Sequence, residues 1–149
     1  ARADGTRPRA VCRGQDPVWL DADRIVCSRR GEIWCVAVDG SHRQRLVAAG
    51  DGLACMQPAV GDPGLLAFVR GRPGRPSSRD IWLYSLTGKT LHRLTKHPAR
   101  DDLPRWHADR KRLLFRSTRT GRWGVWVIPP EVIRQYDTKS DRKQANAHS

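Results

Sequence analysis

Short apolar runs alternate along the chain with turns rich in glycine, proline and charged residues. Runs of this length bounded by turn residues predict β-strands rather than helices. One set of equivalent strands is predicted at Arg24–Ser28, Leu65–Arg70 and Leu113–Ser117. A second set follows at Glu32–Val38, Asp80–Leu86 and Gly124–Ile128. Asp-Gly and Thr-Gly pairs after two of these strands are typical of tight hairpin turns, so the pattern predicts an all-β chain.

Two short motifs recur in the same order and indicate a repeat. Pro-x-Trp stands before the first set of strands at Pro17 and Pro104, and Pro58 has Val60 in place of the tryptophan. Ile-Trp or Val-Trp lies within the second set, with its tryptophan at positions 34, 82 and 126. A period near 45 residues predicts one supersecondary unit repeated three times. We predict four strands per unit: a around the proline, b and c as above, and d after the turn that contains glycine.

The two ends of the chain depart from this repeat. Residues 4–11 are similar to the predicted strands d, so the chain is expected to open on an additional strand d, whereas the third unit has none. After Ile128, the sequence Pro129-Pro130-Glu131 is typical of the first turn of a helix. Residues 137–149 are polar and without periodicity. We therefore predict a repeat domain over residues 1–128, followed by a short helix and a polar tail over residues 129–149.

The repeat resembles the blades of the TolB-type β-propeller family. That family carries an Asp-rich approach, Pro-x-Trp, a polar turn, an apolar strand and a second hairpin. Residues 101–126 here match it as DDLPRWHADRKR followed by FRSTRTGRWGVW. The resemblance covers nearly all of residues 4–128 and is weakest in the second unit, which has lost the tryptophan and gained the insertion 71–78. It implies four-stranded antiparallel blades, a mostly extracytoplasmic location in bacteria, and action mainly by docking proteins.

The number of blades is the main departure from that family. Propellers usually close with four to eight blades, whereas this chain has about three. Either another subunit covers the open edges of a half-propeller, or two copies close a six-bladed ring as a two-fold homodimer. In the second arrangement, the additional strand d of each copy would complete the third blade of the other.

The charge of the chain favours an anionic partner. Lys and Arg number 28 against 15 Asp and Glu, giving a net charge of +13. Arginine offers a planar fork that suits carboxylates and phosphates. We predict that the loops between strands b and c bring nine arginines to one face, although these could instead be solvated loop tips. They are Arg29, Arg30, Arg70, Arg72, Arg75, Arg79, Arg116, Arg119 and Arg122.

The cysteines and carboxylates predict structural roles. Cys27 and Cys35 lie on the two arms of one predicted hairpin and could form a disulfide, while buried thiols are the alternative. Asp101, Asp102 and Asp109 are expected to accept hydrogen bonds from turn amides. Trp123 lies outside the repeat register and could be an exposed anchor. No metal site, cofactor or catalytic residue is predicted, because no ligand spacing, nucleophile motif or phosphate loop occurs.

Together these features predict a non-catalytic interaction or scaffold subunit. It would dock on an acidic protein or on a membrane-associated complex through its loops and open sheet edges. The alternative is a basic nucleic-acid-binding accessory protein, and a hydrolase is the third possibility. No stretch approaches the roughly 18 apolar residues that span a bilayer. We expect a periplasmic location, with the cytoplasm as the alternative.

Overall fold

The computed structural model describes residues 7–62 and 64–136, which form three antiparallel sheets of one repeated design. Blade one has the order β1-β2-β3-β4, with bounds Gln15–Trp19, Arg24–Arg29, Glu32–Ala37 and Gln44–Val47. Blade two has the order β5-β6-β7-β8, with bounds Ala54–Val60, Leu65–Gly71, Asp80–Ser85 and Thr90–Arg93. Blade three contains β9, β10 and β11, with bounds Asp101–Trp106, Leu113–Ser117 and Gly124–Ile128. The predicted all-β blades are confirmed.

The two ends of the chain differ from each other. Residues 7–12 form no strand, so the additional strand d predicted for residues 4–11 is wrong over its described part. This segment lies instead against blade one, where Arg9 Nη2 donates to the carbonyl of Val38 at 2.9 Å. Residues 130–136 are helical, and Ile133 is buried with the core between blades two and three. The predicted polar tail over 137–149 lies outside the described residues.

Strand a of each blade bends at the residue before its proline. Asp16, Gln57 and Leu103 adopt positive φ angles of 53°, 52° and 50°, which are uncommon for residues other than glycine. The strand register shifts at the same place in each blade, as expected for a β-bulge. Because the bulge frees backbone groups from the ladder, neighbouring blades can use them. Asp16 Oδ2 accepts the Gln57 N–H at 3.1 Å, and Gln57 Oε1 accepts the Leu103 N–H at 2.9 Å.

Two apolar clusters fill the space between the blades. The first joins blade one to blade two through Val26, Ile33, Cys35, Val47, Cys55, Leu66 and Phe68. The second joins blade two to blade three through Leu65, Ala67, Val69, Ile81, Leu83, Leu113, Phe115, Ile128 and Ile133. Strand β6 contributes to both, since alternate side chains point to opposite faces of a sheet. It is buried at every position, as the central strand of the middle blade.

A size match at the end of strand a sets how neighbouring blades meet. The indole of Trp106 donates from Nε1 to the carbonyl of Ala59 at 3.0 Å. Its ring lies so close to Gly61 that a Cβ there would be 2.4 to 2.7 Å from ring atoms. At the junction of blades one and two, the equivalent pair is Leu20 with Val60. A small residue in one blade is thus matched by a large residue in the next.

Candidate binding surfaces

The turns between strands b and c and the connections into strand a lie at one end of the blades. The carbonyl of Gly31, in the b–c turn of blade one, accepts the N–H of Cys55 at 2.8 Å. The carbonyl of Arg79, at the end of the b–c loop of blade two, accepts the N–H of Asp101 at 3.0 Å. We call this the arginine end, because it holds the nine arginines singled out in the sequence.

Two of these arginines are held by buried carboxylates of blade three. Arg116 makes a two-pronged pair with Asp102, with contacts of 2.8 and 3.1 Å. Arg119 donates from Nη2 to Asp101 at 2.9 Å and from Nε to Ser117 at 3.0 Å. Asp101 and Asp102 are fully buried and accept their hydrogen bonds from arginine side chains, so the prediction that they bind turn amides is wrong. Both arginines satisfy carboxylates that would otherwise be buried without a counter-charge.

Asp109 and Trp123 are exposed, unlike the buried Asp101 and Asp102. Asp109 accepts hydrogen bonds from the N–H groups of Lys111 and Arg112, as predicted. These bonds hold the pKa of its carboxyl well below the usual range. Trp123 is half-exposed, and the guanidinium of Arg116 lies 3.8 Å from its ring centre. Its exposed ring is therefore fixed by a cation–π contact.

The remaining predicted arginines fall into two groups. Arg30, Arg75 and Arg122 are exposed on their turns, and Arg29 and Arg79 are half-buried beside them. Arg70 and Arg72 lie together in the wall of a cavity of about 430 Å³ in blade two. The structure therefore does not bring the nine arginines into one cluster. It concentrates two of them in this cavity, which we call the blade-two pocket.

The blade-two pocket also contains cations that the sequence reading missed. Its lining includes Arg93 from β8 and Lys96 and His97 from the connection into β9. The nine predicted arginines all come from the b–c loops, yet the connections from strand d to strand a lie at the same end of a blade. Reading both sets of loops together would have found Lys96 and His97. Arg93 and Lys96, together with Arg70 and Arg72, give the pocket four permanently charged side chains.

The insertion 71–78 folds into a wall of this pocket. Residues Pro76–Ser78 form one turn of 3-10 helix. Ser78 Oγ accepts the N–H of Arg72 at 2.8 Å and donates to the carbonyl of Arg75 at 2.7 Å. Gly71 is closely packed, since a Cβ there would lie 3.0 Å from backbone and side-chain carbons of Arg79. The loop is thus held in shape by its own hydrogen bonds, and its first residue packs closely against Arg79 at its other end.

The base of the pocket is buried and charged. Arg70 is 9 % exposed, its guanidinium lies 4.9 Å from the ring centre of Trp82, and its Nε has no acceptor among the described residues. Asp80 pairs through Oδ2 with Arg93, while its Oδ1 has no donor in that part of the chain. Burial raises the pKa of Asp80, and the bond from Arg93 opposes that rise.

The cysteines do not form the predicted bridge. Cys27 stands opposite Trp34, and Cys35 stands opposite Val26, so the two thiols point to opposite faces of the sheet. The Cys27–Cys35 disulfide is therefore wrong, and all four cysteines are thiols. Cys27 Sγ instead lies 3.9 Å from Cys12 Sγ. Burial raises the pKa of Cys27 to about 11 and the pKa of Cys55 to about 11.

Blades one and three each have a face that no further blade of the described residues covers. Val125 and Val127 on blade three are 75 % and 56 % exposed, whereas their equivalents in blade two, Ile81 and Leu83, are buried. Trp19 on blade one, the equivalent of Trp106, is 63 % exposed. We call these the outer faces of the chain. They extend to the edge of β11, which pairs only with β10 among the described strands.

Among residues 7–62 and 64–136, no group of three or more His, Cys, Asp or Glu side chains could hold a metal ion. Across the same residues, no helix has the length and apolar character needed to cross a membrane.

Comparison with known proteins finds similarity in three-dimensional structure alone. No protein-family model matches the chain, and no curated protein matches it. TolB from Acinetobacter baumannii superposes with a TM-score of 0.68 at 20 % identity, covering 84 % of this chain and 33 % of TolB. An oligogalacturonate lyase in complex with manganese gives a TM-score of 0.57 at 16 % identity, covering 77 % of this chain and 33 % of the lyase.

The tricorn protease is also similar, with a TM-score of 0.57 at 16 % identity. This chain covers 12 % of that protease and is itself covered to 79 %. The chain therefore spans about a third of the length of TolB and of the lyase, and less of the protease. These likenesses confirm the predicted resemblance at the level of the fold. The chain has three blades of a TolB-like β-propeller.

Proposed function

We propose that this protein is a non-catalytic interaction subunit that docks through its outer faces onto further propeller blades of a partner. One observation carries the proposal: positions that neighbouring blades bury within the chain are exposed at its two ends. Trp106 packs on blade two, whereas the equivalent Trp19 is 63 % exposed. An uncovered apolar face rimmed by polar groups is typical of a protein-interaction site.

The inner junctions indicate what the covering surface resembles. Trp106 requires a glycine opposite it, since a Cβ at Gly61 would overlap the ring. A blade that receives Trp19 in the same pose therefore needs a glycine at the position of Gly61. In blade three, that position is His107, whose Cβ would collide with the indole. A second copy of the chain does not offer the required surface.

The hydrogen bonds between blades support the same conclusion. Asp16 and Gln57 each accept the N–H of the equivalent residue in the next blade. Leu103 is the equivalent residue in blade three, and its side chain cannot accept a hydrogen bond. Closing the ring with Asp16 of a second copy would leave that N–H unsatisfied. We therefore favour an assembly with a different partner over the two-fold homodimer.

The mass of the protein in solution tests this proposal. Light scattering at moderate salt should show no closed two-fold dimer across micromolar concentrations. The double variant Leu103→Asp with His107→Gly restores the acceptor and removes the Cβ, so it should form a six-bladed dimer. Adding Trp19→Ala to that variant should return the monomer. A wild-type dimer that depends on Trp19, or a double variant that stays monomeric, would contradict the proposed docking rule.

An extracytoplasmic location accompanies this proposal, because the TolB-type resemblance implies it. In an oxidising compartment, Cys12 and Cys27 are the thiols placed to react with each other, since they lie 3.9 Å apart. Peptide mapping of protein secreted to the periplasm should then find a Cys12–Cys27 bridge. A fully reduced protein would instead favour the cytoplasm.

Nucleic-acid binding is the alternative function, and the net charge of +13 favours it. A protein that binds through phosphate contacts loses affinity steeply as salt rises. Affinity for duplex DNA that falls by about a thousandfold or more between 50 and 200 mM salt, as expected for six or more phosphate contacts, would support it. Retention that does not change with salt would exclude it.

A further inference from the structure

We propose that the blade-two pocket is a binding site for a small phosphate-bearing ligand. The pocket measures about 430 Å³, within the roughly 300–1,000 Å³ of ligand sites. It is independent of the outer faces, because its lining lies within blade two and the loops that enter and leave it. The proposal therefore does not depend on the identity of any docking partner.

The charge of the pocket selects the chemical class of the ligand. Arg70, Arg72, Arg93 and Lys96 provide four positive charges, and Asp80 is the one carboxylate among the lining residues. The imbalance of three positive charges exceeds what a single carboxylate would neutralise. A phosphate monoester carries about −1.5 to −2 charges at neutral pH and offers three acceptor oxygens. It therefore fits the lining better than a monocarboxylate does.

Arg70 supplies a second observation that indicates a missing acceptor. Its side chain is nine-tenths buried, yet its Nε donates to no described residue. A buried donor without a partner costs about 1–3 kcal/mol, so such groups are normally paired. The guanidinium lies 4.9 Å from the ring centre of Trp82, which also lines the pocket. The Nε atom has less than 1 Å² of accessible surface, so a ligand oxygen in the pocket reaches this donor after a small shift of the Arg70 side chain.

Two of the other cations, Arg93 and Arg72, lie at points that the fold holds by specific contacts. Asp80 holds Arg93 by an ion pair, and Ser78 holds the backbone of Arg72. The 3-10 turn of the insertion keeps both serines, Ser77 and Ser78, in the wall of the pocket. The Ser77 hydroxyl can donate to a phosphate oxygen beside the guanidinium groups, whereas the Ser78 hydroxyl already donates to the carbonyl of Arg75. Blade two alone has this insertion, so the equivalent ends of blades one and three lack the wall.

Titration with inorganic phosphate tests the site in the full chain. The indole N–H signal of Trp82, observed by NMR, should shift and saturate at millimolar phosphate. Arg72→Gln removes one charge-assisted contact and should weaken binding about tenfold. Arg122→Gln is the matched control, because it removes the same charge from an exposed turn of another blade. It should leave the affinity unchanged.

Three outcomes would overturn the proposal. The first is a shift that does not saturate, and the second is an equal loss of affinity in Arg72→Gln and Arg122→Gln, which would indicate general electrostatic attraction. The third is binding of acetate as tight as that of phosphate. Arg70→Met, which keeps an apolar stem over Trp82, should also lose binding. If that variant does not fold, Arg72→Gln decides alone, since Arg72 is exposed.

Discussion

Blades two and three contain the same strand pattern but differ in what covers them. The c strand of blade two, β7, has no exposed residue, whereas the c strand of blade three, β11, alternates between exposed and covered residues. Ile81 and Val125 are equivalent, because each directly precedes the tryptophan of the repeated motif, whose strand partner is Phe68 in blade two and Phe115 in blade three. One is buried and the other is 75 % exposed. The difference shows that burial here depends on the neighbouring blade and not on the local sequence.

Blade three also differs in the chemistry at the start of its strand a. Cys55 and Met56 in blade two correspond to Asp101 and Asp102 in blade three. The carboxylates are paired with arginines of the same end, whereas the sulfur side chains pack against apolar neighbours. The same backbone position can therefore be filled by an ion pair or by apolar packing.

Replacing a covered side chain should cost far more than replacing its uncovered equivalent. Ile81→Ala leaves a cavity between two blades and should lower the free energy of unfolding by about 2–5 kcal/mol. Val125→Ala removes exposed surface and should change it by less than about 0.5 kcal/mol. Urea unfolding followed by tryptophan fluorescence measures both. Equal losses would mean that the outer face of blade three is buried in solution.

Breaking the ion pair of blade three should cost a similar amount of stability. Asp102→Ala leaves Arg100 and Arg116 without their buried counter-charge and should cost about 3–5 kcal/mol. Asp102→Met with Arg116→Val introduces the pair that blade two uses at this position. The double variant should recover most of the loss, because apolar packing can replace a buried ion pair. Failure to recover in urea unfolding would show that blade three requires the charges.

The contact between Trp106 and Gly61 should produce a smaller effect. Gly61→Ala places a methyl group against the indole and should destabilise by about 1–3 kcal/mol. Adding Trp106→Val reproduces the smaller residue of the junction between blades one and two, so the two changes should be coupled in a double-mutant cycle. Gly50→Ala is the control, because no atom lies within 4 Å of its added Cβ. Additive effects would argue against the size match.

The smallest predicted effect is the dependence of stability on pH. Burial raises the pKa of Cys55 to about 11, above its ordinary value of 9. The folded state then holds the thiol proton more tightly than the unfolded state, so stability is full below pH 9 and falls as the pH rises towards 11. The urea midpoint should decrease over this window. Cys55→Ala should make that decrease shallower, whereas an unchanged slope would exclude Cys55 as a cause.

The sequence by itself determined the repeat, the strand boundaries and the fold class. Strands b and c were predicted to within two residues, because apolar runs between turn residues encode them locally. The recurring proline, followed two residues later by Trp or Val, also marked strand a of each blade. Because strands b and c could be located, the arginines in the loops between them could also be identified from the sequence. Their placement at one end follows from the blade topology.

Only the tertiary structure decided which of those residues act together. Asp101 and Asp102 look like turn residues in sequence, yet they are buried partners of arginines from neighbouring segments. The Cys27–Cys35 pairing failed because a register offset of one residue puts the two thiols on opposite faces of the sheet. The blade-two pocket is lined by two loops that are separated in sequence by strands β7 and β8. Trp19 and Trp106 belong to the same motif, yet only Trp19 is exposed. Their different exposure arises from long-range contacts, which a local pattern does not encode.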